Sequence, residues 1–465
     1  MSSSATNLTL APAPQTRLPD WPKQHLKGNR LSGDRYTSRE FFALEWELMW
    51  SRVWLLLGRE SELPLPGDWQ REDVGPESIL MVRQVDGGIK AFYNVCQHRG
   101  NKLVDQPLGH ANRFVCRYHS WAFKPDGELV FAQDAENFPE GNPCGKVNLV
   151  ELRCETFAGF VWVNMNPDCE TLKEFLGPVW DDWSRYEIET WKRYMALTTT
   201  LPCNWKVVLD NFNESYHVAT VHKPIGTPEE RKRMHSGVDL SYQNTRFDLS
   251  DEGHNRMIMP GGYAGVSLNE DGSIGEPLNS ILKEWGVDPR DFNDRPRDTR
   301  KALQDAKRRL GPARGYSHYN KLSDEQFTDA FHYTLFPNFA VSLWSDGFHF
   351  LRARPHATDP EQCVFDNWWY ASQPPGETAP IRTTAGIVDR GANVEHEVFR
   401  MGEKSMGRTI DGDVEIFLLQ QPAFRSKGYR GAYLSDQESR VRRYHELIDD
   451  YIEGRRPEER PPAPV

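Results

Sequence analysis

The sequence contains no long apolar run. Its strongest hydrophobic stretch, residues 53–57, is the length of a β-strand, whereas a membrane-spanning helix needs roughly 18 to 20 apolar residues. An excess of positive charge is also missing, since 56 Lys and Arg against 67 Asp and Glu give a net charge of −11. The N-terminal residues lack the basic and apolar regions of a secretory signal. These absences predict a globular, cytoplasmic protein that binds neither membranes nor nucleic acid.

Cysteine is also sparse. Seven cysteines scattered over 465 residues are too few for a disulfide scaffold, and in a reducing compartment a cysteine near a histidine indicates a metal before a disulfide. At roughly 150 residues per domain, the length allows two or three domains, or one large domain with an insert.

The pattern of apolar and polar residues along the chain changes at residues 52 and 167. Residues 37–51 have apolar positions at helical spacing, and residues 52–166 contain short β-like runs separated by turns rich in Pro and Gly. The remainder mixes helix and strand, with a polar, helix-rich stretch at 266–330 and an amphipathic helix at 436–454. We therefore predict an α+β protein: a small all-β domain at 52–166 and a larger domain formed by 37–51 and 167–452. A partly mobile N-terminal arm at 1–36 and a tail at 453–465 flank them.

Two Cys/His pairs follow β-like runs in the small domain. Cys96 and His98 are separated by one residue, and Cys116 and His119 by two. These donors suit a tetrahedral zinc ion, and they equally suit a Rieske [2Fe-2S] cluster, in which two thiolates hold one iron and two imidazoles the other. Zinc knuckles usually place two or more residues between paired ligands, so the tight C-x-H spacing favours the cluster.

A second group of donors lies in residues 204–224, which read as a helix ending near a proline. Asp210, Glu214 and His217 would share one face of that helix. His222 lies about 140° around an ideal helix from His217, so joint binding of one metal requires a widened turn or a helix that ends before His222. We predict such a break. Two imidazoles with one carboxylate form the facial triad of non-haem Fe(II) oxygenases.

The motif C-x-H-x17-C-x2-H, with HRG after the first pair and a Trp after the second, resembles the Rieske domain of bacterial ring-hydroxylating oxygenases. The segment NWK…DNFNESYHVATVH resembles the mononuclear-iron motif of the same family. The resemblance extends over about residues 37–452 and implies a large (α) subunit, with a Rieske domain and a helix-grip catalytic domain built from an antiparallel sheet and helices. The implied ligands are Cys96, His98, Cys116 and His119 for the cluster, and His217 and His222 for Fe(II).

The family's third iron ligand is an Asp in a helical E-D-x-x-I-x-x-x-x-Q-like segment. Residues 411–421 match this pattern when Asp413 is the ligand, although Gly412 stands where the family commonly has an acid. Asp411 is a weaker candidate, and Glu415 is weaker still. Glu214 occupies the position of the family's bridging carboxylate, which links a cluster imidazole of one subunit to an iron imidazole of the next. Glu in place of the commoner Asp resembles the monooxygenase-like branches.

Other residues near the second motif are candidate pocket groups. Asp210 and Asn211 are predicted to lie in the catalytic pocket or to support it, with capping of a helix start as the alternative. The candidate apolar walls of a substrate pocket are Phe212, Phe336, Phe339, Trp344 and Phe350, and core packing is the alternative for all of them.

The resemblance implies that the protein uses O2 to hydroxylate a ring-containing hydrophobic substrate by mono- or dioxygenation. One alternative is a monooxygenase or demethylase acting on a small polar or quaternary-amine substrate. Others are a Rieske electron carrier without oxygenase activity and a zinc-structured binding protein. No dinucleotide, P-loop or flavin motif is found, so electrons from NADH would arrive through a separate flavin reductase or ferredoxin. The family commonly forms homotrimers, with or without small β subunits.

Overall fold

The computed structural model describes residues 30–222, 245–262 and 268–455. Most of the predicted N-terminal arm, the end of the predicted tail and the first residues of the predicted polar stretch at 266–330 lie outside these ranges. Within the described ranges, every helix is too short or too polar to cross a bilayer.

Seven strands form a first, antiparallel sheet, which pairs in the order β1-β10-β9-β4-β3-β2-β5. They are β1 (Leu55–Arg59), β2 (Asp68–Val74), β3 (Glu77–Arg83), β4 (Ile89–Tyr93), β5 (Leu108–His110), β9 (Glu151–Phe157) and β10 (Phe160–Asn164). A smaller antiparallel sheet contains β6 (Phe114–Val115), β7 (Ala122–Phe123) and β8 (Leu129–Phe131). These strands account for the all-β character predicted for this part of the chain.

A second sheet of eight strands has the order β12-β13-β14-β15-β16-β17-β11-β20 and is antiparallel except for the parallel pair β11–β20. Its strands are β11 (Lys192–Leu201), β12 (Arg246–Leu249), β13 (Asn255–Met259), β14 (Ala330–Leu335), β15 (Phe339–Leu343), β16 (Gly347–Pro355), β17 (Cys363–Ala371) and β20 (Glu397–Arg400). A separate hairpin joins β18 (Ile381–Thr383) to β19 (Gly386–Val388).

The described residues contain ten α-helices. They are α1 (Asp34–Thr37), α2 (Arg39–Glu45), α3 (Leu172–Leu176), α4 (Pro178–Trp183), α5 (Trp205–Phe212), α6 (Val218–Val221), α7 (Leu278–Glu284), α8 (Thr299–Leu310), α9 (Arg408–Ala423) and α10 (Ser439–Ile452). A π-helical turn at Trp46–Trp50 extends α2. The combination of an all-β part with a helix-covered antiparallel sheet confirms the predicted fold class.

Strand β2 carries little hydrophobic signal, because its sequence DWQREDV is mostly charged or polar. The structure gives the reason for one of these charges: Glu72 points at Arg354 of β16, so β2 forms part of the contact between the two sheets. Buried ion pairs hide strands from hydrophobic pattern analysis, since the alternation of apolar and polar residues is interrupted.

The two sheets are held together by buried cations and aromatic rings. Arg59 of β1 is only 3% exposed and donates to the carbonyls of Ala158, Ile188 and Trp191 at 2.9, 2.7 and 2.9 Å. Its guanidinium also lies 4.6 Å from the ring centroid of Phe160. These hydrogen bonds offset part of the cost of burying the charge, and they connect β1 to the residues just before β11.

Two helices cover one face of the second sheet, which we call the inner face. The Nε2 atom of His332, on β14, donates to the carbonyl of Phe212 at the end of α5 at 2.8 Å. Asn367, on β17, donates through Nδ2 to the carbonyl of Met406, just before α9, at 2.9 Å. These bonds place the ends of α5 and α9 over the same face, where the second group of predicted site residues lies.

Candidate metal centres

The two Cys/His pairs lie on two loops with the same backbone design. In each loop the cysteine amide donates to the carbonyl five residues later at 2.8 Å, and the amide four residues later donates back to the cysteine carbonyl at 3.0 or 2.9 Å. The residue four positions after the cysteine has a left-handed backbone in both loops, Gly100 with φ 73° and Ser120 with φ 57°. Each loop thereby turns its cysteine and histidine toward the other loop.

The four donors of these loops converge. Cys96 and Cys116 are 1% and 2% exposed, and burial, together with the neighbouring Cys116 thiol, raises the pKa of Cys96, while the amides of His98 and Arg99 oppose that rise. The rings of His98 and His119 are 4.6 Å apart. The Nδ1 atoms of both rings are buried and have no hydrogen-bond partner among the described residues, which is unusual for an imidazole nitrogen and fits a metal ligand.

The geometry favours the diiron cluster over zinc. Four ligand atoms around one tetrahedral ion lie close to one another, yet among the described residues only a different set of three has donor atoms that are all within 4.8 Å. The two Cys/His pairs therefore do not close around a single ion. A cluster in which the thiolates and the imidazoles hold different irons fits this wider spacing.

Aromatic side chains border the His98 and His119 rings. Trp121 is 3% exposed and stacks on His98, with centroids 4.7 Å apart and planes within 6°. Tyr118 packs on His119 at 3.7 Å but is itself 53% exposed. Both imidazoles are only half-buried, so this end of the candidate cluster site faces the surface.

The second motif does not form the single helix that we predicted. Helix α5 ends at Phe212, α6 covers only Val218–Val221, and His217 and His222 flank α6. The amide of Asn213 bonds to the Asp210 carbonyl at 3.1 Å, which tightens the last turn of α5 and ends it. The predicted shared face of Asp210, Glu214 and His217 is therefore wrong, whereas the predicted break before His222 is confirmed and begins earlier than expected.

Helix α9 places Asp413 against both histidines. The Oδ1 atom of Asp413 lies 2.9 Å from Nε2 of His222 and 3.4 Å from Nε2 of His217, and the two Nε2 atoms are 3.2 Å apart. Asp413 is 1% exposed. Three donors from two separate segments thus meet at one point, as the ligands of one metal ion must.

The hydrogen-bond partner of His217 also fits a metal site. Glu214 Oε1 lies 2.5 Å from His217 Nδ1, and because a carboxylate accepts, Nδ1 carries the hydrogen and Nε2 is left as a donor atom for a metal. Burial lowers the pKa of His217, but Asp413 and Glu214 raise it more, to about 9. A metal ion that binds Nε2 would displace this proton and relieve the crowding of the three donors.

The alternative acids are engaged elsewhere. Asp411 accepts from the Met406 amide at 2.8 Å and from the Ser405 hydroxyl, and Glu415 is exposed. Gly412 stands where the family commonly has an acid. A Cβ at this position would lie 3.9 Å from Nδ1 of His222. A longer side chain at this position would partly cover the His222 imidazole, and glycine leaves it open.

Asp210 does not join the three donors. Its Oδ2 atom accepts from the Tyr36 hydroxyl at 2.6 Å, and its Oδ1 lies 3.0 Å from Nε2 of His445. It does not cap the start of α5 either, because Asn204 accepts from the Lys206 amide there. Tyr36 and His445 were missed by sequence reasoning, since they lie far from Asp210 in the chain and belong to no recognisable motif.

Asn211 is half-buried, and within the part of the chain that the structure describes its Nδ2 atom has no hydrogen-bond partner. Of the predicted apolar pocket walls, four belong to the core: Phe212 faces Phe365, Phe336 stacks on Tyr451, and Phe339 and Phe350 pack on each other. Trp344 is half-buried and borders a cavity with a volume of about 90 Å³.

A small antiparallel β domain with a Cys₂His₂ loop pair, joined to a helix-covered antiparallel sheet with a two-histidine, one-carboxylate set, defines the class of Rieske-type large subunits. Residues 53–142 match the family described as "Rieske [2Fe-2S] domain". Residues 188–454 match the family described as "Ring hydroxylating alpha subunit (catalytic domain)". The chain belongs to this ring-hydroxylating alpha-subunit family, and its cofactors are a Rieske [2Fe-2S] cluster and a mononuclear iron.

Individual relatives carry both monooxygenase and dioxygenase names. The chain is 34% identical over 213 residues to the carnitine monooxygenase oxygenase subunit of Escherichia coli, covering 44% of this chain and 57% of that protein. It is 34% identical over 196 residues to the chlorobenzene dioxygenase subunit alpha of a Cupriavidus species, covering 40% and 42%. The aligned part thus spans about half the length of these curated relatives.

Solved structures extend the likeness of the fold to nearly the whole chain. A quaternary ammonium Rieske monooxygenase superposes with a TM-score of 0.63 at 20% identity, covering 91% of this chain and 95% of that one. Naphthalene 1,2-dioxygenase from a Rhodococcus species superposes with a TM-score of 0.60 at 16% identity, covering 92% and 95%.

Proposed function

We propose that this protein is the oxygenase component of a multicomponent system that uses O2 and externally supplied electrons to hydroxylate a ring-containing hydrophobic substrate. The observation that carries this proposal is the meeting of His217, His222 and Asp413 at one point beneath α9. Two imidazoles and one carboxylate leave coordination positions open on Fe(II) for O2 and substrate.

The residues of the two centres have separate roles in this proposal. Cys96 and Cys116 would hold one iron of the cluster, and His98 and His119 would hold the other. When bound, the cluster supplies single electrons and the mononuclear iron supplies the site of O2 reduction. We assign the cluster domain to residues 52–166 and the catalytic domain to residues 37–51 and 167–452, with an N-terminal arm at 1–36 and a tail at 453–465.

Glu214 orients the catalytic side of the site. Its Oε1 atom accepts from His217 Nδ1 while its Oε2 accepts from the His217 amide at 3.1 Å, so one carboxylate fixes both the ring and the backbone of this residue. Glu214 is nevertheless accessible enough to bond a second partner, since 11% of its side chain is exposed. The surface-facing imidazoles of a neighbouring subunit's cluster domain are the partner that this arrangement suits.

We accordingly propose a homotrimer in the cytoplasm, with or without small β subunits, in which a cluster domain serves the iron of its neighbour. A ferredoxin or flavin reductase would deliver electrons from NADH. Asn211 remains a proposed pocket residue because its half-buried amide is unpaired. Asp210 would act indirectly, through Tyr36 and His445, by holding the end of α5 in place.

A second candidate is a monooxygenase or demethylase that acts on a small polar or quaternary-amine substrate. Glu at position 214 favours it, as does the likeness to proteins named carnitine monooxygenase. The core packing of the predicted aromatic walls also weakens the case for a purely hydrocarbon pocket.

Product analysis with ¹⁸O2 tests the proposal. The reconstituted protein, supplied with a reductase and NADH, is offered aromatic, terpenoid and amine substrates, and the products are examined by mass spectrometry. Two labelled oxygens in a ring product indicate dioxygenation, one indicates monooxygenation, and loss of a methyl group as formaldehyde indicates demethylation. An electron carrier without oxygenase activity would incorporate no label and would contain two irons per chain rather than three.

A further inference from the structure

The inner face of the second sheet carries a row of five side chains in direct register, and the three in the middle of the row are polar. The row runs across five strands in the order Met257, His332, Ser342, His349 and Trp369. His332 bonds to the last residue of α5, and His349 bonds at 2.6 Å to Asn367, which in turn bonds to the residue before α9. The row therefore lies under the two segments that carry the proposed iron ligands.

The direction of the hydrogen bond between His332 and Ser342 is fixed. A carbonyl oxygen only accepts, so the bond from Nε2 to the Phe212 carbonyl places the ring hydrogen of His332 on Nε2. Burial and the nearby Arg440 lower the pKa of His332 to about 3, so the ring is neutral and Nδ1 carries a lone pair. The Ser342 hydroxyl, 2.8 Å away, must donate its hydrogen to Nδ1.

Ser342 therefore offers only lone pairs to any further partner. A serine hydroxyl has one hydrogen and two acceptor sites, and the imidazole takes the hydrogen. Unlike a serine in water, this hydroxyl cannot rotate to donate without losing its bond to His332. A neighbouring group that can itself only accept a hydrogen bond would place its lone pairs against those of the Ser342 oxygen.

Ser342 is partly exposed although it lies in the interior of the sheet. β15 is an interior strand, bonded to β14 and β16 on its two sides, yet Ser342 is half-buried rather than buried. Trp344, two residues further along the same face, is also half-buried, stacks on Trp369 at 5.3 Å and borders the 90 Å³ cavity. It packs against an apolar cluster that contains Met257 and Met259. An apolar surface formed by Trp344 and these methionines therefore lies on the same face as the acceptor oxygen of Ser342.

We propose that Ser342 accepts a hydrogen bond from an O–H or N–H group of the substrate, so that the enzyme selects an apolar or ring-bearing molecule that carries such a donor. This inference rests on the proposed oxygenase function and narrows its substrate class. A bare hydrocarbon would cover the lone pairs of Ser342 without offering them a hydrogen, and an unsatisfied polar group at a site disfavours the ligand that leaves it unpaired.

Matched substrates and matched variants test the role of Ser342. The pairs are 2-naphthol with naphthalene, and choline with ethyltrimethylammonium, since the members of each pair differ in a hydroxyl donor. The variants Ser342→Thr and Ser342→Val differ from each other by a hydroxyl in place of a methyl group, and both β-branched side chains suit a strand. The holoenzyme is assayed for binding by equilibrium dialysis without O2, and for kcat/KM of labelled product with ¹⁸O2.

We expect the wild type and Ser342→Thr to favour the hydroxylated member of at least one pair by about tenfold, the worth of one neutral hydrogen bond. In Ser342→Val the ratio of affinities within each pair should approach one. The reason is that the substitution weakens binding of the hydroxylated member and leaves binding of the other member unchanged. Ser342→Cys, whose sulfur is a weak acceptor, should give an intermediate ratio and provides a second reading if the Val variant is unstable.

The outcomes separate this inference from the proposed function. An unchanged binding ratio in Ser342→Val overturns the role of Ser342, even if labelled product is formed. A binding ratio that depends on the hydroxyl, without label in any product, supports the Ser342 contact and counts against the oxygenase function.

Discussion

The Oε1 atom of Glu214 lies 2.5 Å from Nδ1 of His217, and the other oxygen of the same carboxylate accepts from the His217 amide. The side chain of Glu214 is therefore held by its neighbour three residues later rather than by a distant part of the fold. Because the contact fixes which nitrogen of His217 carries the hydrogen, it decides that Nε2 faces Asp413 and His222.

Replacing Glu214 with Gln keeps the shape of this contact and removes its charge. We expect turnover to fall about 10- to 100-fold, the usual cost of losing a carboxylate that supports a metal-bound histidine, while cluster absorbance and iron content are retained. Steady-state product formation and iron analysis measure the two effects. Glu415→Gln, on the exposed side of α9, is the matched control, and near-normal activity in Glu214→Gln would refute the bridging role.

Most of the site could be read from the sequence because its donors occur in short, rigid patterns. The two Cys/His loops repeat one backbone design, and Asp413 was found by aligning residues 411–421 with the pattern of a family. The end of α6 before His222 was also foreseeable, since a continuous helix cannot point His217 and His222 at one metal, whereas the earlier break between α5 and α6 was not predicted. In each case the local backbone geometry leaves only a few residues that could bind the metal.

Contacts between residues that are far apart in the chain could not be predicted from the sequence. Asp210 was expected to share a helix face with Glu214 and His217, but Tyr36 and His445 hold it away from the three iron ligands. No local sequence pattern points to either of these partners. The aromatic residues of β15 and β16 were ambiguous for a related reason. Alternation along a strand separates the two faces of a sheet, but it does not reveal which face is covered by the iron-bearing helices.

Asp413 and Asp411 offer a direct test of the third iron ligand. Asp413→Asn should lower the iron content from three to two atoms per chain and abolish turnover, because a neutral amide is a poor ligand for Fe(II). Asp411→Asn should retain three, since Asp411 serves the start of α9. Iron is measured by atomic emission after removal of loosely bound metal, and the opposite pattern would assign the ligand to Asp411.

The two centres should be separable by mutation. His98→Ala should remove the visible absorbance and the electron paramagnetic resonance signal of the cluster, because it deletes one of four ligands, while the mononuclear iron remains. His217→Ala should leave those signals intact and abolish product. Loss of the cluster signal in His217→Ala would contradict the assignment of the two sets of residues to separate metals.

The buried ion pairs between the sheets predict a stability effect distinct from catalysis. Arg354 contacts both Glu72 and Asp366, and Arg352 bonds to Asp366 at 2.7 Å, so two guanidinium groups share two carboxylates. Glu72→Gln leaves these cations with one carboxylate in a buried environment. We expect a loss of about 3 kcal/mol or more in the free energy of unfolding, because breaking a buried pair strands a charge away from water.

The matched control for Glu72→Gln is Glu151→Gln, which breaks the pair with Lys90. That pair has the same kind of geometry, with 2.8 Å between Nζ and Oε2, but its side chains are 38% and 50% exposed. Water replaces the lost partner there, so the cost should be below about 1 kcal/mol. Urea unfolding followed by fluorescence gives both values. Equal midpoint shifts in the two variants would show that Glu72 is solvated in solution and does not join the two sheets.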